Sequence, residues 1–551
     1  MRKRAKDKSA REAQEWFLRH VTYKGEAYTV DLEQAAAIAD SHKNTIVVAR
    51  AGSGKTRTLV AKIIYLVAKC GVRPEAIMAF VFNANAAAEI NARLSNMLVD
   101  GESVMNGAAP ARTFHAFARR MVYEVCGGKE RCGKILVDER DDFIAAVIRT
   151  MLGDLSWRRK MGLVVRGNSG GKKLSEAELL EIVGEMSQFI NRAGQRYLGG
   201  ESRLREKVEE RLADVEVGER EKAFLELGLE SFRRYHWYLL NGAGKLGDGR
   251  FEGYGTDFNL LVSWAGTLIR SGREEVRREL VGCQYILIDE YQDFSQLFLS
   301  VVMAIRGICP EVRLFVVGDD WQAINRFAGS EVGYFKEFEK YFPEDVTRLG
   351  ISMNYRCNFM VVETARKFVA RAMGEKGKFK AYSRKVGDVM LVEPRKLGMG
   401  VLAAVAGIII ENRRAEDILM LHRNNETNIE GMSLAQVRLE VGKLVVRSGK
   451  MTVKEYQEKV RAMTMHKSKG LEAEVVIILE ADEGVIPRVH PDTSLYNIFG
   501  ETNETALADQ ERLFYVAMTR AKKRLYIIHN SANGAGFMKF LPKKMEKWGE
   551  F

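Results

Sequence analysis

The chain has 551 residues, of which 46% are hydrophobic and 29% are charged, and its formal net charge is +12. This length predicts two to four domains, and the basic balance is typical of proteins with a polyanionic partner. Six scattered cysteines form no C-x-x-C pair, which argues against a zinc module. The longest apolar run, Met399 to Ile410, is far shorter than the ~20 residues that span a bilayer. We therefore expect a soluble, cytoplasmic protein that makes no use of a membrane.

The first 30 residues are charged, with Trp16, Phe17 and Leu18 as their one apolar cluster. This composition predicts a basic extension, a short arm or helix, for which a solvated segment is favoured over contact with nucleic acid. Asp31-Leu32-Glu33-Gln34 follows and, on residue type alone, is an ordinary helix start. The carboxamide of Gln34 offers a donor and an acceptor together, which suits the edge of an adenine.

The segment Ala49 to Thr56 reads A-R-A-G-S-G-K-T and lies between a β-branched run and a segment with helical periodicity. A strand, a glycine-rich turn and a helix make a phosphate-binding loop. There the helix N-terminus attracts negative charge. Lys55 is predicted to reach the β- and γ-phosphates, and Thr56 to offer its hydroxyl to Mg²⁺. Ala49 stands where the usual motif has its first glycine. The loop predicts a site for a nucleoside triphosphate.

Polar and aromatic residues follow the next predicted strand, Ile77 to Phe82, and recur at Arg112 to Phe117. Ligands bind at strand ends in open α/β sheets, yet core packing explains the aromatics equally well. Residues 119 to about 250 then change to charged helical periodicity and return through the glycine-rich segment 242–255. We interpret them as a helical domain inserted into the first α/β domain.

Two further buried strands deliver acids and a glutamine. Tyr285 to Ile288 leads into Asp289 and Glu290, a pair suited to hold Mg²⁺ and to deprotonate an attacking water. Adjacent buried carboxylates repel each other, so the pair indicates a cation and phosphate nearby. Arg313 to Val317 ends in G-D-D-W-Q, where Gln322 can sense a γ-phosphate.

The remainder repeats the α/β pattern, with strands predicted at Ile418 to Leu421, Val475 to Leu479 and Leu525 to Ile528 but no second G-K-T loop. This second sheet domain is expected to close on the first. Arg356 and Arg520 are candidate arginine fingers, although a lone arginine is usually a surface charge.

Together these motifs resemble superfamily 1 helicases of the UvrD/Rep type, most closely the helicase IV branch. They span residues 31 to 530 and occur in the family's order: Gln34, A-R-A-G-S-G-K-T, A-A-A-E-I, A-R-T-F-H-A-F, I-D-E-Y-Q-D, G-D-D-W-Q-A-I, N-Y-R-C, M-H-K-S-K-G-L-E and Y-V-A-M-T-R-A. The resemblance implies two RecA-like P-loop NTPase domains with parallel sheets flanked by helices. The expected limits are 1–30 for the extension, 31–118 plus 251–345 for the first domain, 119–250 for its helical insertion and 346–551 for the second domain.

The resemblance also implies a role for each matched residue. The ATP and Mg²⁺ site would comprise Gln34, Ala51, Gly52, Ser53, Gly54, Lys55, Thr56, Arg57, Asp289, Glu290, Gln322, Tyr355, Arg356, Glu472 and Arg520. Within it, Thr56 and Asp289 would hold the metal, and Arg57 and Tyr355 would sandwich the adenine. The path of single-stranded DNA would be lined by Phe82, Thr113, His115, Phe327, Thr464 and His466. Stacking of bases on aromatic rings would grip any sequence, and the motor would move 3′ to 5′ on single-stranded or tailed duplex DNA.

Several positions depart from the family pattern. Asn85 replaces a lysine, Asn325 a tyrosine, Phe327 a tryptophan and Ala328 an arginine on the DNA side, whereas every ATPase residue is retained. Arg50 stands where the family ordinarily has glycine, and the sequence offers no physical account of it.

Three alternatives stay open at this stage. The same motor could strip RNA polymerase from DNA, although such factors carry long coiled-coil arms and only about 30 residues precede the Gln34 motif. It could translocate without unwinding. A DNA-binding module with a dead motor is the third alternative, against which the retained ATPase residues argue.

Overall fold

The computed structural model describes residues 2–125, 133–168, 173–197, 200–246, 249–375, 379–384, 387–489, 491–530, 536–542 and 545–549. Across these ranges the chain forms two large parallel sheets flanked by helices, with a mainly helical insertion in the first. The predicted α/β class with two sheet domains is therefore confirmed.

The first sheet carries the phosphate-loop strand at an inner position. Its strands are parallel and lie in the spatial order Val346–Ile351, Asn44–Ala49, Arg313–Gly318, Tyr285–Ile288, Ile77–Val81 and Ala111–Thr113. Parallel sheets are buried on both faces, and here the flanking helices are Leu32–Ala39, Lys55–Ile64, Ala84–Ser95, Phe114–Arg119, Phe258–Arg270, Glu274–Leu280, Gln296–Ile308, Gly333–Lys336 and Phe338–Tyr341. Because the strands are parallel, the phosphate loop, the acid pair and the G-D-D-W-Q segment all leave the sheet at the carboxyl ends of their strands.

The boundary predicted at residues 345 and 346 is wrong. Strand Val346–Ile351 pairs in parallel with Asn44–Ala49, so the first sheet continues to Ile351. The error has a physical cause, because this is an edge strand. Its Arg348 side chain is exposed, and the segment lacks the continuous apolar run that marks an inner strand.

The N-terminal segment is a helix, Arg2–His20, which is one of the two forms predicted, but the expectation that it is mostly solvated is wrong. Ala10, Ala13 and Phe17 are buried in the core beneath the first sheet. The Phe17 ring lies 6.0 Å from the ring of Tyr28. The two alanines precede Phe17 by seven and four residues, so they form one apolar stripe on an otherwise charged helix.

The insertion is built on helices Arg140–Arg149, Leu155–Arg166, Glu176–Arg196, Glu201–Leu212 and Glu219–Asn241. The chain enters and leaves it through the paired strands Lys134–Leu136 and Tyr254–Asp257. Its core contains the buried rings of Phe143, Phe189 and Tyr235. The limits predicted for it, 119 and 250, stay a prediction.

The second sheet is also parallel, in the order Val460–Thr464, Ile418–His422, Ala473–Ile478, Ala521–Ile528, Asp388–Val392 and Glu546–Lys547. Its helices are Phe359–Ala372, Val401–Glu411, Leu434–Arg447, Val453–Lys459 and Asn503–Met518. Smaller sheets join Val21–Tyr23, Glu26–Ala27 and Met97–Val99, and Met353–Asn354 with Lys380–Ala381. Within the described ranges, no helix is both long and apolar enough to cross a membrane.

A segment of the second domain, Pro491–Phe499, inserts into the core of the helical insertion. The Phe499 ring is buried and packs edge-on against Phe189, with ring centroids 5.2 Å apart. Arg192 donates from Nε to Glu501 at 2.5 Å beside it. Together the ring contact and the ion pair hold the helical insertion against the second sheet domain.

Replacing Phe499 by alanine is expected to destabilise the chain by about 3–5 kcal/mol, because it leaves a cavity between the two domains. Urea unfolding of the variant and the parent measures the difference. Leu180→Ala is the matched control, since Leu180 lies on the exposed face of the same insertion, and its change is expected within about 0.5 kcal/mol. Equal effects of the two substitutions would contradict the contact.

Candidate functional site

The candidate phosphate loop turns through two glycines in the left-handed region. Gly52 has φ 67° and Gly54 has φ 81°. A Cβ at Gly52 would lie 2.7 Å from Nδ2 of Asn354, and one at Gly54 would lie 3.0 Å from Nε2 of Gln34. Only glycine combines this backbone with this close approach. The helix that begins at Lys55 presents its N-terminal N–H groups there, which makes an anion site.

The loop faces the acid pair at the end of strand Tyr285–Ile288. Nζ of Lys55 lies 3.1 Å from Oε2 of Glu290, and Oγ1 of Thr56 donates to Oδ2 of Asp289 at 2.8 Å. Burial and the negative charge of Glu290 raise the pKa of Asp289. Burial acts in the same sense on Glu290, but Lys55 and Lys469 outweigh it and lower the pKa of Glu290.

The donor set at this point fits Mg²⁺. A hydroxyl of Thr56 and a carboxylate of Asp289 are hard oxygen ligands, and Mg²⁺ usually takes one or two of them together with waters and phosphate. Among the described residues, no group of three or more His, Cys, Asp or Glu side chains could hold a metal by itself. Ser53 Oγ is buried in the loop without a partner in the described chain, so it is available to a ligand.

Gln322 lies beside the acid pair and bridges the two sheet domains. Its Nε2 donates to Oδ2 of Asp319 at 2.7 Å, and its Oε1 accepts from Nη2 of Arg520 at 3.4 Å. Lys469, from the second domain, donates from Nζ to Oδ2 of Asp293 at 2.5 Å and to the carbonyl of Gln322 at 2.9 Å. The strand end that carries Gln322 is therefore held from both sides of the cleft.

Two arginines of the second domain, Arg356 and Arg520, lie close together near Gln322. Arg520 is fully buried, and within the described chain no carboxylate lies within ion-pair distance of it. Burial, followed by the charge of Arg356, lowers the pKa of Arg520 to about 9. Arg356 donates from Nε to Oε2 of Glu472 at 2.7 Å, and Glu472 also pairs with Lys522 at 2.8 Å. A buried arginine without a carboxylate partner favours binding of an anion.

The side chain of Gln34 contacts the phosphate loop, Ala49 to Thr56. It forms a capping box with Asp31 at the start of helix Leu32–Ala39, and its Nε2 donates to the carbonyl of Ser53 at 3.0 Å. Its carboxamide thus braces the loop backbone, and the recognition of adenine stays a prediction.

Arg57 and Tyr355, the predicted adenine sandwich, have other neighbours in this structure. The guanidinium of Arg57 lies 4.1 Å from the ring centre of Tyr28, and Tyr355 donates to a carboxylate oxygen of Asp31. The Tyr355 ring is partly exposed and lies 4.9 Å from that of Tyr382. Sequence reasoning missed Tyr28, because no motif spacing marks it.

Near the residues predicted to line the DNA path, two cavities share the segment of residues 324–328. One, of about 280 Å³, is lined by Phe82 and His115 and by two of the departures, Asn325 and Ala328. The other, of about 320 Å³, contains Phe327 and His466, whose rings pack edge to face at 5.6 Å. Four of the six predicted DNA-path residues therefore lie along one surface.

The two threonines of that prediction make local backbone contacts. Thr113 accepts from the N–H of Ala116 and caps helix Phe114–Arg119, and Thr464 accepts weakly from the N–H of Lys467 at 3.4 Å. Phe258, whose ring is tilted against that of His115 with centroids 4.6 Å apart, is a cavity residue that sequence reasoning missed. Asn85 is exposed near the start of helix Ala84–Ser95.

A phosphate loop, an acid pair and a bridging glutamine between two parallel sheets define a P-loop NTPase with two sheet domains. Residues 30–343, more than half of the chain, match the UvrD/REP helicase N-terminal domain, and residues 432–532 match the UvrD-like helicase C-terminal domain. The chain belongs to the UvrD/REP helicase family, an ATP-hydrolysing class of enzyme, and the predicted resemblance is confirmed.

Proteins named as DNA helicases are similar to this chain, two of them over most of its length. DNA helicase IV of Escherichia coli is 26% identical over 529 residues, covering 92% of this chain and 69% of the relative. A probable DNA helicase of Mycoplasma pneumoniae is 24% identical over 507 residues, covering 90% and 82%. The ATP-dependent DNA helicase UvrD1 of Mycobacterium leprae is 24% identical over 358 residues, covering 63% and 40%.

The partly buried side chain of His466 is expected to make the free energy of unfolding depend on pH. Burial, then the charges of Arg423 and Lys469, lower the pKa of His466 from 6.5 to about 4. Between these values the unfolded chain binds the proton and the folded chain does not, so this contribution to the free energy of unfolding falls as pH drops through that window. Urea unfolding at pH 7 and pH 5 is expected to show a smaller loss in His466→Gln than in the parent. Equal losses would contradict this assignment.

Proposed function

We propose that the chain is an ATP-dependent translocase on single-stranded DNA that unwinds tailed duplexes in the 3′ to 5′ direction. The observation that supports the proposal is the set of charged and polar groups in the cleft between the two sheet domains. Lys55, Glu290 and Gln322 line it from the first domain, and the buried Arg520 reaches Gln322 from the second. The direction of movement follows from the family resemblance, and the formal charge of +12 supports a polyanionic track.

ATP and Mg²⁺ are the proposed substrate and cofactor. The N-terminal amides of the loop helix and Lys55 would hold the phosphates, while Thr56 and Asp289 would hold the metal, which neutralises charge on the phosphates when bound. Lys55 and Lys469 lower the pKa of Glu290, so its carboxylate is ionised and would orient the attacking water and accept its proton. Arg356 and Arg520 would neutralise charge that develops on the transferred phosphoryl group.

Movement would result from coupling across the same contacts. Arg520 and Lys469 both belong to the second domain, and both bond to Gln322 in the first. When hydrolysis removes the γ-phosphate, the attraction between the arginines and the first domain weakens, so the two domains can separate. Phe327 and His466 lie on opposite domains, and their contact would change with that separation.

The grip on DNA would come from rings along the two adjoining cavities. Phe82, Phe327 and His466 offer faces on which bases stack without regard to sequence. Since His466 stays neutral above about pH 4, it would contribute stacking and hydrogen bonding but no charge. The cytoplasm, on DNA with single-stranded regions, is the expected place of action.

Lys55→Ala and Glu290→Gln are each expected to lower the kcat of DNA-stimulated ATP hydrolysis by about a hundredfold or more, because each removes a group that acts in the transition state. Release of phosphate with and without oligo(dT) measures the effect. Lys207→Ala and Glu206→Gln are matched controls on the exposed face of the insertion. Near-normal turnover in either site variant would overturn the assignment.

Strand displacement tests the direction and the unwinding separately. Duplexes with a 3′ tail are expected to be unwound in the presence of ATP and Mg²⁺, and duplexes with a 5′ tail or blunt ends are not, because loading requires a strand on which the motor moves inward. Unwinding from 5′ tails alone would overturn the polarity. DNA-stimulated hydrolysis without displacement would leave a translocase that does not unwind.

A further inference from the structure

Arg50 occupies a position in the phosphate loop where this family's pattern has glycine, and none of the roles assigned above involves it. It is a long cation placed in the chain between a buried strand and the loop glycines. The residue is only 8% exposed, although nothing about a phosphate loop requires a buried arginine there. Burial of a guanidinium is costly unless charged partners surround it.

The structure identifies those partners in the segment that carries Gln322. Nη1 of Arg50 donates to Oδ1 of Asp319 at 2.8 Å and to Oδ1 of Asp320 at 2.6 Å. The guanidinium also lies over the ring of Trp321, 3.6 Å from its centre. Burial opposes the charged form, but Asp319 and Asp320 outweigh it and raise the pKa of Arg50. One side chain thereby contacts three consecutive residues.

Asp319 connects Arg50 with Gln322, because it accepts hydrogen bonds from both. Its Oδ1 accepts from Arg50 and its Oδ2 accepts from Nε2 of Gln322, so one carboxylate orients both groups. Asp319 and Asp320 are both buried, and two adjacent buried carboxylates would repel each other without the cation between them. The position of the Gln322 carboxamide therefore depends on Arg50.

Trp321 extends the same cluster into the second domain. Its ring packs edge to face on Tyr515, with centroids 5.6 Å apart, and Tyr515 begins the Y-V-A-M-T-R-A motif that contains Arg520. Arg50 of the phosphate loop thus contacts the segment of residues 319–322. The same segment contacts the second domain through Trp321 and Tyr515 and through Gln322 and Arg520.

We propose that Arg50 is a positioning residue for ATP hydrolysis, which holds Asp319 and through it the Gln322 carboxamide at the γ-phosphate end of the cleft. The proposal rests on the proposed function, because it presupposes that ATP is hydrolysed at this site. It also gives Arg50 a physical role, since its partners are the three consecutive residues Asp319, Asp320 and Trp321.

The test is DNA-stimulated ATP hydrolysis by Arg50→Met, Arg50→Lys, Asp320→Asn and the double variant Arg50→Met with Asp320→Asn. Arg50→Met is expected to lower kcat by about tenfold or more and to change KM for ATP by less than about threefold, since the contact orients a group that acts on the transition state. Arg50→Lys is expected to recover part of that kcat, because it keeps the charge without the planar fork.

If Arg50→Met folds poorly, Arg50→Lys keeps the proposal testable, because it leaves the buried carboxylates with a cation. The double variant removes one buried carboxylate together with the cation, so it tests whether the two residues act through one interaction. Its loss in kcat is expected to be smaller than the product of the two single losses, as for residues that share one interaction. The control is Arg211→Met, which removes an arginine that also bridges two carboxylates, Asp214 and Glu221, but lies in the insertion.

A kcat within twofold of the parent in Arg50→Met would overturn the proposal, as would a lowered melting temperature with unchanged kcat. So would strictly multiplicative losses in the double variant. Failure of the parent itself to hydrolyse ATP with DNA would instead overturn the proposed function, so the two failures are distinguishable.

Discussion

The arrangement of charge at the carboxyl edge of the first sheet is the constraint on which the rest of the structure depends. Parallel strands deliver a cationic loop, two carboxylates and a glutamine to one edge, where each is partly buried. Buried charges must be paired, and here Lys55 pairs with Glu290 and Thr56 bonds to Asp289. The glycines of the loop exist because nothing larger fits so close to these partners.

The second domain supplies the charges that the first leaves unbalanced. Arg520 is buried without a carboxylate in the described chain, which is unfavourable for a protein that has no anionic ligand. Lys469 bonds to both the acid motif and the carbonyl of Gln322. Under the proposed function, Arg520 would stabilise a bound polyphosphate, and this attraction would weaken when the charge of that ligand falls. Phe499 and Glu501 attach the helical insertion to the second domain.

The sequence predicted the strands of both sheets well where they are buried runs, as at Tyr285–Ile288 and Ile418–His422. It failed where burial is partial or long-range. The edge strand Val346–Ile351 has no continuous apolar run, and the apolar stripe of helix Arg2–His20 consists largely of two alanines. Tyr28 was missed for a related reason, because its contact with Arg57 joins residues that no motif connects.

The sequence by itself determined the class of fold, the family and the identity of the phosphate loop and acid pair, because these depend on local order: a strand, a turn of fixed spacing and a helix. Only the tertiary structure decided what Arg50 does, since its partners Asp319 and Asp320 are about 270 residues away in the chain. The same holds for the meeting of Gln322 with Arg520 and Lys469. Such contacts follow from how two sheets face each other, and no spacing within one motif encodes that geometry.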